Sequence, residues 1–499
     1  MTRPRLKRAG SVGGALLLTL ASTVFPGSGH LVLRRRIGYT ILGTFLVLMA
    51  AGVLLVLTSS TSELLGYLTS ARLLLYIMIG VVVLALAWIG VVISTYLTAI
   101  PRGTATGQRM AGGALVAVLC AGVVAPFGYV AYNLDTQRDL LNSVFPSGSA
   151  SGGTPGADEE GFHQPRINVL LIGSDAGDGR IGTRTDTMIT ASIDTRTGRT
   201  TFFALPRNTQ NAQFPAGSKL AKQFPDGFTD PKHPDSSEYL LNALYTYGTE
   251  HPDLVPPGGP SKFPGLNLIF DTIGNMLGLD LDYYIEVNMA GFSSIVDALG
   301  GVDVNVGPDR VPMGGIGPFG EVVKPFGYID AGQQHLTGDQ ALWFARSRTN
   351  TSDYTRMGRQ RCLIKYIVEQ NPPSKILDNF RGVAQATSDN VSTNIPQEVL
   401  PAFLQLAGKI KEQPLESISF DPSLPNPRAS DGKFNSARPD YQYMRQVVQA
   451  AINPKPAAAP TTTTAAPTTS AKPTTGGKSS TTSVPSTAPP TSLDSACAG

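Results

Sequence analysis

The chain is 499 residues long and nearly charge-balanced, with 40 Lys and Arg against 37 Asp and Glu for a formal net charge of +3. Such a balance carries no electrostatic footprint for nucleic acid. Three scattered cysteines (Cys120, Cys362, Cys497) make neither a disulfide framework nor a metal site, and the five histidines show no ligand spacing, which argues against zinc chemistry. A Cys362–Cys497 bridge is open to the sequence, but the expectation is unpaired thiols.

Apolar residues crowd the start. Residues 37–58, 73–100 and 110–132 contain no Asp, Glu, Lys or Arg, and each exceeds the ~20 residues a helix needs to cross a bilayer. A buried soluble helix would keep a polar stripe; Pro126 in the third run is tolerable within a helix bundle. Arg34, Arg35 and Arg36 precede the first run, and Arg102 and Arg109 lie between the second and third. Both clusters belong on the cytoplasmic side, so three crossings place everything after Tyr132 outside. The earlier apolar run 11–33 is broken by Pro26-Gly27-Ser28-Gly29-His30 and flanked by basic residues at both ends. That pattern reads as a re-entrant or interfacial hairpin following a basic tail. The division expected is 1–33 for tail and hairpin, 34–133 for transmembrane helices and 134–165 for a flexible linker. A domain over 166–453 and a Pro/Thr/Ala-rich disordered tail over 454–499 follow.

Within the domain, β-branched runs at 167–172, 187–193 and 200–205 predict strands, and 284–287 another. Helical apolar spacing marks 266–277 and 292–299, with further helices at 339–345, 354–368, 398–410 and 441–451; Pro401 suits an opening turn. Residues 211–235 and 306–327 resist assignment and read as surface insertions or long loops.

Arginines and carboxylates gather in two places. The first comprises Asp175, Arg184, Asp186 and Arg207; the second comprises Arg346, Arg348, Arg356, Arg359, Gln360 and Arg361. Asp175 follows a strand at its C-terminal end, a common functional position in α/β sheets. Arg184 and Asp186, two apart in extended chain, should share a face, and Arg356 and Gln360 share one by helical spacing. Guanidinium forks grip phosphoryl oxygens and carboxylates hold a hard cation between them, so together the groups point to a phosphate site. Each alone is more often an ordinary surface ion pair. Ser430-Asp431-Gly432-Lys433 has acylating-enzyme spacing but no partner motif, and neither a Gly-x-Ser-x-Gly elbow nor a Gly-x-x-x-x-Gly-Lys loop occurs.

The pieces Asn168-Val-Leu-Leu-Ile-Gly-Ser-Asp175, Arg184-Thr-Asp-Thr-Met188, Leu205-Pro-Arg207, Val296-Asp-Ala-Leu-Gly-Gly-Val-Asp-Val304, Leu336 through Arg348 and Asp353 through Arg361 resemble, in order, the LytR-CpsA-Psr family of cell-wall ligases. One departure is Asn208, where the family's Pro-Arg is usually followed by Asp. The resemblance implies an extracytoplasmic α/β/α sandwich with a central mixed sheet and an apolar tunnel for a polyprenyl chain. It implies transfer of a glycopolymer from a polyprenyl-pyrophosphate carrier to a peptidoglycan hydroxyl, forming a phosphodiester. Carried over, Asp175 and Asp186 look like ligands of Mg²⁺, with Mn²⁺ an alternative. Arg184, Arg207, Arg346 and Arg348 look like the pyrophosphate clamp, and Arg356, Arg359 and Gln360 like pocket lining. Helices 266–277 and 292–299 are expected tunnel walls. The partners implied are the lipid-linked glycan, peptidoglycan and the membrane. Arabinogalactan, teichoic acid and capsule are all open as the glycan, with the tail's composition leaning to arabinogalactan. A pyrophosphatase or a non-catalytic lipid- or wall-binding scaffold are the competing readings.

Overall fold

The computed structural model describes the chain apart from residues 1–7, 59–68, 147–156, 159–160, 176–182, 234–235, 316–320, 322, 350, 373–374, 376–389, 455–488 and 498–499. It divides into two units, Met1–Gly148 and Ser149–Gly499.

The first unit opens with two short helices, Val12–Val24 (α1) and Ser28–Val32 (α2). At 13 residues, α1 falls short of the ~20 that a crossing requires, and the chain turns at Gly27, which takes a left-handed φ of 89°. Trp88 Nε1 donates to the Thr23 carbonyl at 3.1 Å, and His30 Nδ1 lies 3.0 Å from Thr95 Oγ1. The three charge-free runs form Ile37–Thr58 (α3), Ala71–Ala99 (α4) and Thr106–Val144 (α5), all long and apolar enough to span a membrane. Helix α5 continues past the expected boundary at 133, because Leu140, Leu141 and Val144 are buried.

In the second unit the strands Arg166–Ser174 (β1), Thr185–Asp194 (β2) and Thr200–Ala204 (β3) come first. Helix Pro264–Leu277 (α6), strand Tyr283–Asn288 (β4) and helix Met289–Ala298 (α7) follow, then helices Gly338–Arg346 (α8) and Asp353–Gln370 (α9). Val391–Thr393 (β5), Leu400–Lys411 (α10), Glu416–Ser419 (β6), Tyr441–Ile452 (α11), Thr491–Ser492 (β7) and Leu493–Ala496 (α12) come after them, with shorter helices and two-stranded ribbons in between. The strands build one seven-stranded sheet in the order β5-β4-β1-β2-β3-β6-β7. It is mixed: β1 runs parallel to β4 and antiparallel to β2, and β3 runs parallel to β6.

The two-residue alternation of β1 assigns its faces. Leu170 and Ile172 join a core with α6 and α11, where Leu266, Ile269, Ile273, Met444, Val447 and Val448 are buried. At ~1.5–3 kcal/mol for each large apolar side chain, this layer anchors the sheet. Leu171 and Gly173 face the opposite layer of α7, α8 and α9. Residues 211–235 are not a loose insertion: Phe214, Phe224 and Phe228 pack ring against ring, edge to face or tilted, with one another and with Tyr239 and Tyr247, and Ala212 and Leu220 are buried. Residues 306–327 contain one strand of a ribbon, Val311–Met313 paired with Gly327–Ile329.

The expectation of unpaired thiols is overturned. Cys362 on α9 and Cys497 form a disulfide with Cα atoms 5.6 Å apart. The pairing was hidden because it needs the chain end to return across a Pro/Thr-rich stretch, and that stretch lies outside the described residues. Past it, β7 adds to the edge of β6, with Ser417 opposite Thr491.

Candidate active site

The site forms where β1 ends and β2 begins. The register of this pair shifts between Gly173 and Ser174, and such a bulge re-aims the side chains beside it. Gly173 allows close approach of the two strands: a Cβ there would lie 3.0 Å from the Thr187 side chain. Asp175 follows the strand, where its Oδ1 accepts the Arg184 backbone N–H at 2.7 Å.

Asp186 is the hub. Arg207, just beyond β3, donates to its Oδ1 at 2.6 Å, and Arg356 Nη1 lies 3.6 Å from the same oxygen. Asp353 bridges the same two guanidiniums, with Oδ1 at 3.3 Å from Arg207 Nε and 3.1 Å from Arg356 Nη2. Burial alone would raise the Asp186 carboxyl, but Arg207 and Arg356, with Arg348 contributing, outweigh it and hold it below the usual carboxylate range. Arg356 is 2% exposed, and burial lowers its guanidinium despite Asp353 and Asp186. Asp353 received no role from the sequence. Its signal was available: it opens α9 behind the N-cap Ser352, three residues before Arg356, where an acid favours both the helix dipole and an i,i+3 partner.

The remaining groups are divided. Arg346 ends α8, lines the cavity described below and lies over the Trp343 ring, centroid 5.3 Å away. Arg348 is exposed just beyond the helix. Gln360 lines the cavity and donates to the Ala345 carbonyl at 3.2 Å, while Arg359 donates to the Ser347 carbonyl. Burial lowers Arg359 to about 10, with repulsion from Arg356 adding to it. Arg184 does not join Asp186, although extended spacing put them on one face. Its guanidinium reaches Glu238 Oε1 at 2.7 Å and the Ser237 carbonyl at 3.2 Å. Glu238 was invisible to motif reading because it sits in the unassigned region's aftermath, on a single 3-10 turn, Ser237–Tyr239. Asn208 is exposed; Arg207 is anchored by Asp186 and Asp353 instead, so the missing family Asp leaves its guanidinium held.

Beside the arginines opens a cavity of about 230 Å³ between the sheet and α7, α8 and α9. Its apolar lining includes Leu171, Ile285, Val287, Phe292, Leu342 and Leu363, and its polar lining includes Asp186, Arg346 and Gln360. No residue of α6 lines it, which corrects the expectation for 266–277: strand alternation commits α6 to the other face of the sheet. A mainly apolar chamber that includes the Arg346 guanidinium, with Arg207 and Arg356 on the Asp186 carboxylate that also lines it, suits an amphiphile with an anionic head. Guanidiniums outnumber carboxylates here, leaving positive charge for that head to neutralise.

Among the described residues no group of three His, Cys, Asp or Glu converges to hold a metal. Asp175 and Asp186 are oxygen donors of the kind Mg²⁺ takes, one or two carboxylates completed by phosphate oxygens and water. In this structure Asp186 is engaged by Arg207 and Arg356, and Asp175 by the Arg184 backbone N–H.

The LytR_cpsA_psr family model matches residues 154–446, more than half of the chain. The chain belongs to the LytR_cpsA_psr family. It is 28% identical over 263 residues to the polyisoprenyl-teichoic acid–peptidoglycan teichoic acid transferase TagU of Enterococcus faecalis, covering 51% of this chain and 71% of that one. It is 26% identical over 274 residues to the Bacillus anthracis protein of the same name, covering 54% and 75%. Among solved structures, B. subtilis TagV aligns with a TM-score of 0.39 and 22% identity, over 57% of this chain and 96% of that one. The matched span holds every strand of the sheet except β7, and all the arginines and aspartates described above. Within this LytR_cpsA_psr domain, groups far apart in sequence converge on Asp186, as Arg356, 170 residues on, shows.

Proposed function

We propose that this LytR_cpsA_psr protein is a transferase that moves a glycopolymer from a polyprenyl-pyrophosphate carrier to a peptidoglycan hydroxyl, forming a phosphodiester. The observation that carries the reading is one continuous site, a mainly apolar cavity whose lining also holds Asp186, Arg346 and Gln360. The family membership and the printed names of the TagU relatives support it.

The prenyl chain lies in the cavity and the pyrophosphate meets Arg207, Arg346, Arg348 and Arg356. The hydroxyl attacks the phosphorus next to the glycan, and polyprenyl phosphate leaves. Preorganised guanidiniums stabilise the charge that builds on the bridging and equatorial oxygens. Asp175 and Asp186 would hold Mg²⁺ or Mn²⁺, whose charge would offset that of the phosphates. The spans anchor the chain in the cell membrane, and the arginine distribution around them supports a catalytic domain on the outer side. These residues read the pyrophosphate and the lipid, which any polymer carried this way shares, so they do not choose the glycan.

Incubation of the full-length protein with a lipid-linked donor, with and without peptidoglycan, tests the reading. Product that appears only with peptidoglycan supports transfer. Equal pyrophosphate cleavage in both arms makes the protein a hydrolase, and tight binding without turnover makes it a scaffold.

A further inference from the structure

We propose that residues 489–497 are a clasp that positions α9 within the site. Four separate ties hold this segment. Strand β7 pairs with β6 at the sheet edge, and Leu493 N–H donates to the Leu415 carbonyl at 2.8 Å. Leu493 is 1% exposed. Lys365 on α9 lies 3.2 Å from Asp494 Oδ1 while also bonding Glu369 at 2.8 Å. Tyr366 on α9 donates its hydroxyl to the Cys497 carbonyl at 2.9 Å, and Cys362 on α9 is bonded to Cys497.

Three of those ties, through Cys362, Lys365 and Tyr366, land on α9. That helix also carries Arg356 and Gln360, both buried, and begins with Asp353. The clasp therefore fastens the helix bearing half of the arginine hub to the edge of the sheet bearing the other half. Elsewhere α9 is held at its end, where Gln370 exchanges hydrogen bonds with the Asp303 backbone. A rigid helix fixed on two sides can keep a guanidinium at 3.1–3.6 Å from two carboxylates; small misplacements of such groups are costly in rate and binding. A second consequence is topological. The Ile452 carbonyl accepts from Arg166 Nη2 at 3.2 Å, and residues 489–497 pack on the domain, where they were expected to belong to a free tail. Strand β7 also covers the edge of β6, which would otherwise offer unpaired backbone groups.

The kinetic part of the proposal rests on the transfer reading; the structural part does not. The test compares the oxidised full-length protein with its Cys362→Ser/Cys497→Ser form. Hydrogen exchange over residues 353–360 should quicken about tenfold, and affinity for a soluble prenyl pyrophosphate should weaken about tenfold, as the hub loosens. For the lipid-linked donor kcat/KM should fall by at least that factor, through kcat as well as KM, because the displaced guanidiniums act on the transition state as well as on bound donor. Exchange and affinity both unchanged within about twofold would overturn the clasp. If the double variant does not accumulate folded, Tyr366→Phe combined with Asp494→Asn keeps the disulfide and removes two ties; about threefold effects support the proposal, and none overturns it. Absence of prenyl pyrophosphate binding by the wild type would sink the transfer reading, while exchange over 353–360 would still decide the clasp.

Discussion

Arg356→Ala probes the hub where it is most sharply defined. The wild-type guanidinium is 2% exposed and lies 3.1 Å from Asp353 and 3.6 Å from Asp186. Removing one partner of a buried ionic cluster costs about 3–5 kcal/mol, because the charges left behind keep their desolvation penalty. At about 2 °C per kcal/mol for a domain this much larger than 200 residues, Tm should fall by roughly 6–10 °C. The pH dependence carries a sign. In the wild type the Asp186 carboxyl is depressed, so its stabilisation is complete above the unfolded value and is lost as pH falls through the folded one. Without Arg356 less opposes the effect of burial, the folded value rises, and protonation relieves the variant sooner. The stability gap should therefore be widest near pH 7 and narrow by about pH 4. Thermal unfolding of the full-length protein in detergent at both pH values is the assay. A gap below about 1 kcal/mol at pH 7, or one that does not change with pH, would refute the buried-hub account.

Arg346→Ala and Arg348→Ala should each lower transfer from a lipid-linked donor by roughly 10²–10³, the scale of one lost preorganised donor; intact turnover in single-turnover assays removes them from the clamp. Glu238→Gln frees Arg184 from its ion pair, and titration calorimetry should show affinity for a prenyl pyrophosphate rising about two- to fivefold, since a part-exposed pair is worth less than about 1 kcal/mol. A loss of affinity would mean that Glu238 orients Arg184 productively and does not compete for it. Ile285→Phe narrows the cavity, and competition binding should show long prenyl chains weakened by about tenfold or more while short-chain pyrophosphates keep their affinity. Equal weakening of both would place the prenyl chain elsewhere.

Much of the fold was legible because its physics is local. Charge-free runs gave α3, α4 and α5, and alternating β-branched residues gave β1 to β4, whose boundaries moved by only a few residues. Strands β5 and β6 went unseen, since Val391–Thr393 and Glu416–Ser419 are too short for a periodic signal and exist through pairing with β4 and β3. The aromatic cluster around Phe228 was masked by the Gly, Pro and Asp residues between its members. At the site, motif order located the aspartates and arginines but not their pairing. Arg184 lies two residues from Asp186, yet it turns to Glu238, which is 54 residues away in sequence. Asp353 was in view without a role, because its bond to Arg207 is tertiary. The disulfide was the largest omission, since a pairing across 135 residues depends on where the chain end returns.

The central claim is that the phosphorus next to the glycan is the one attacked. A donor labelled with ³²P at that phosphorus, given to the full-length protein with Mg²⁺ and peptidoglycan, tests this directly. The account predicts that label moves with the glycan into insoluble wall material while unlabelled polyprenyl phosphate is released. Label recovered as inorganic phosphate or retained on the lipid, with glycan nonetheless attached to peptidoglycan, would contradict it.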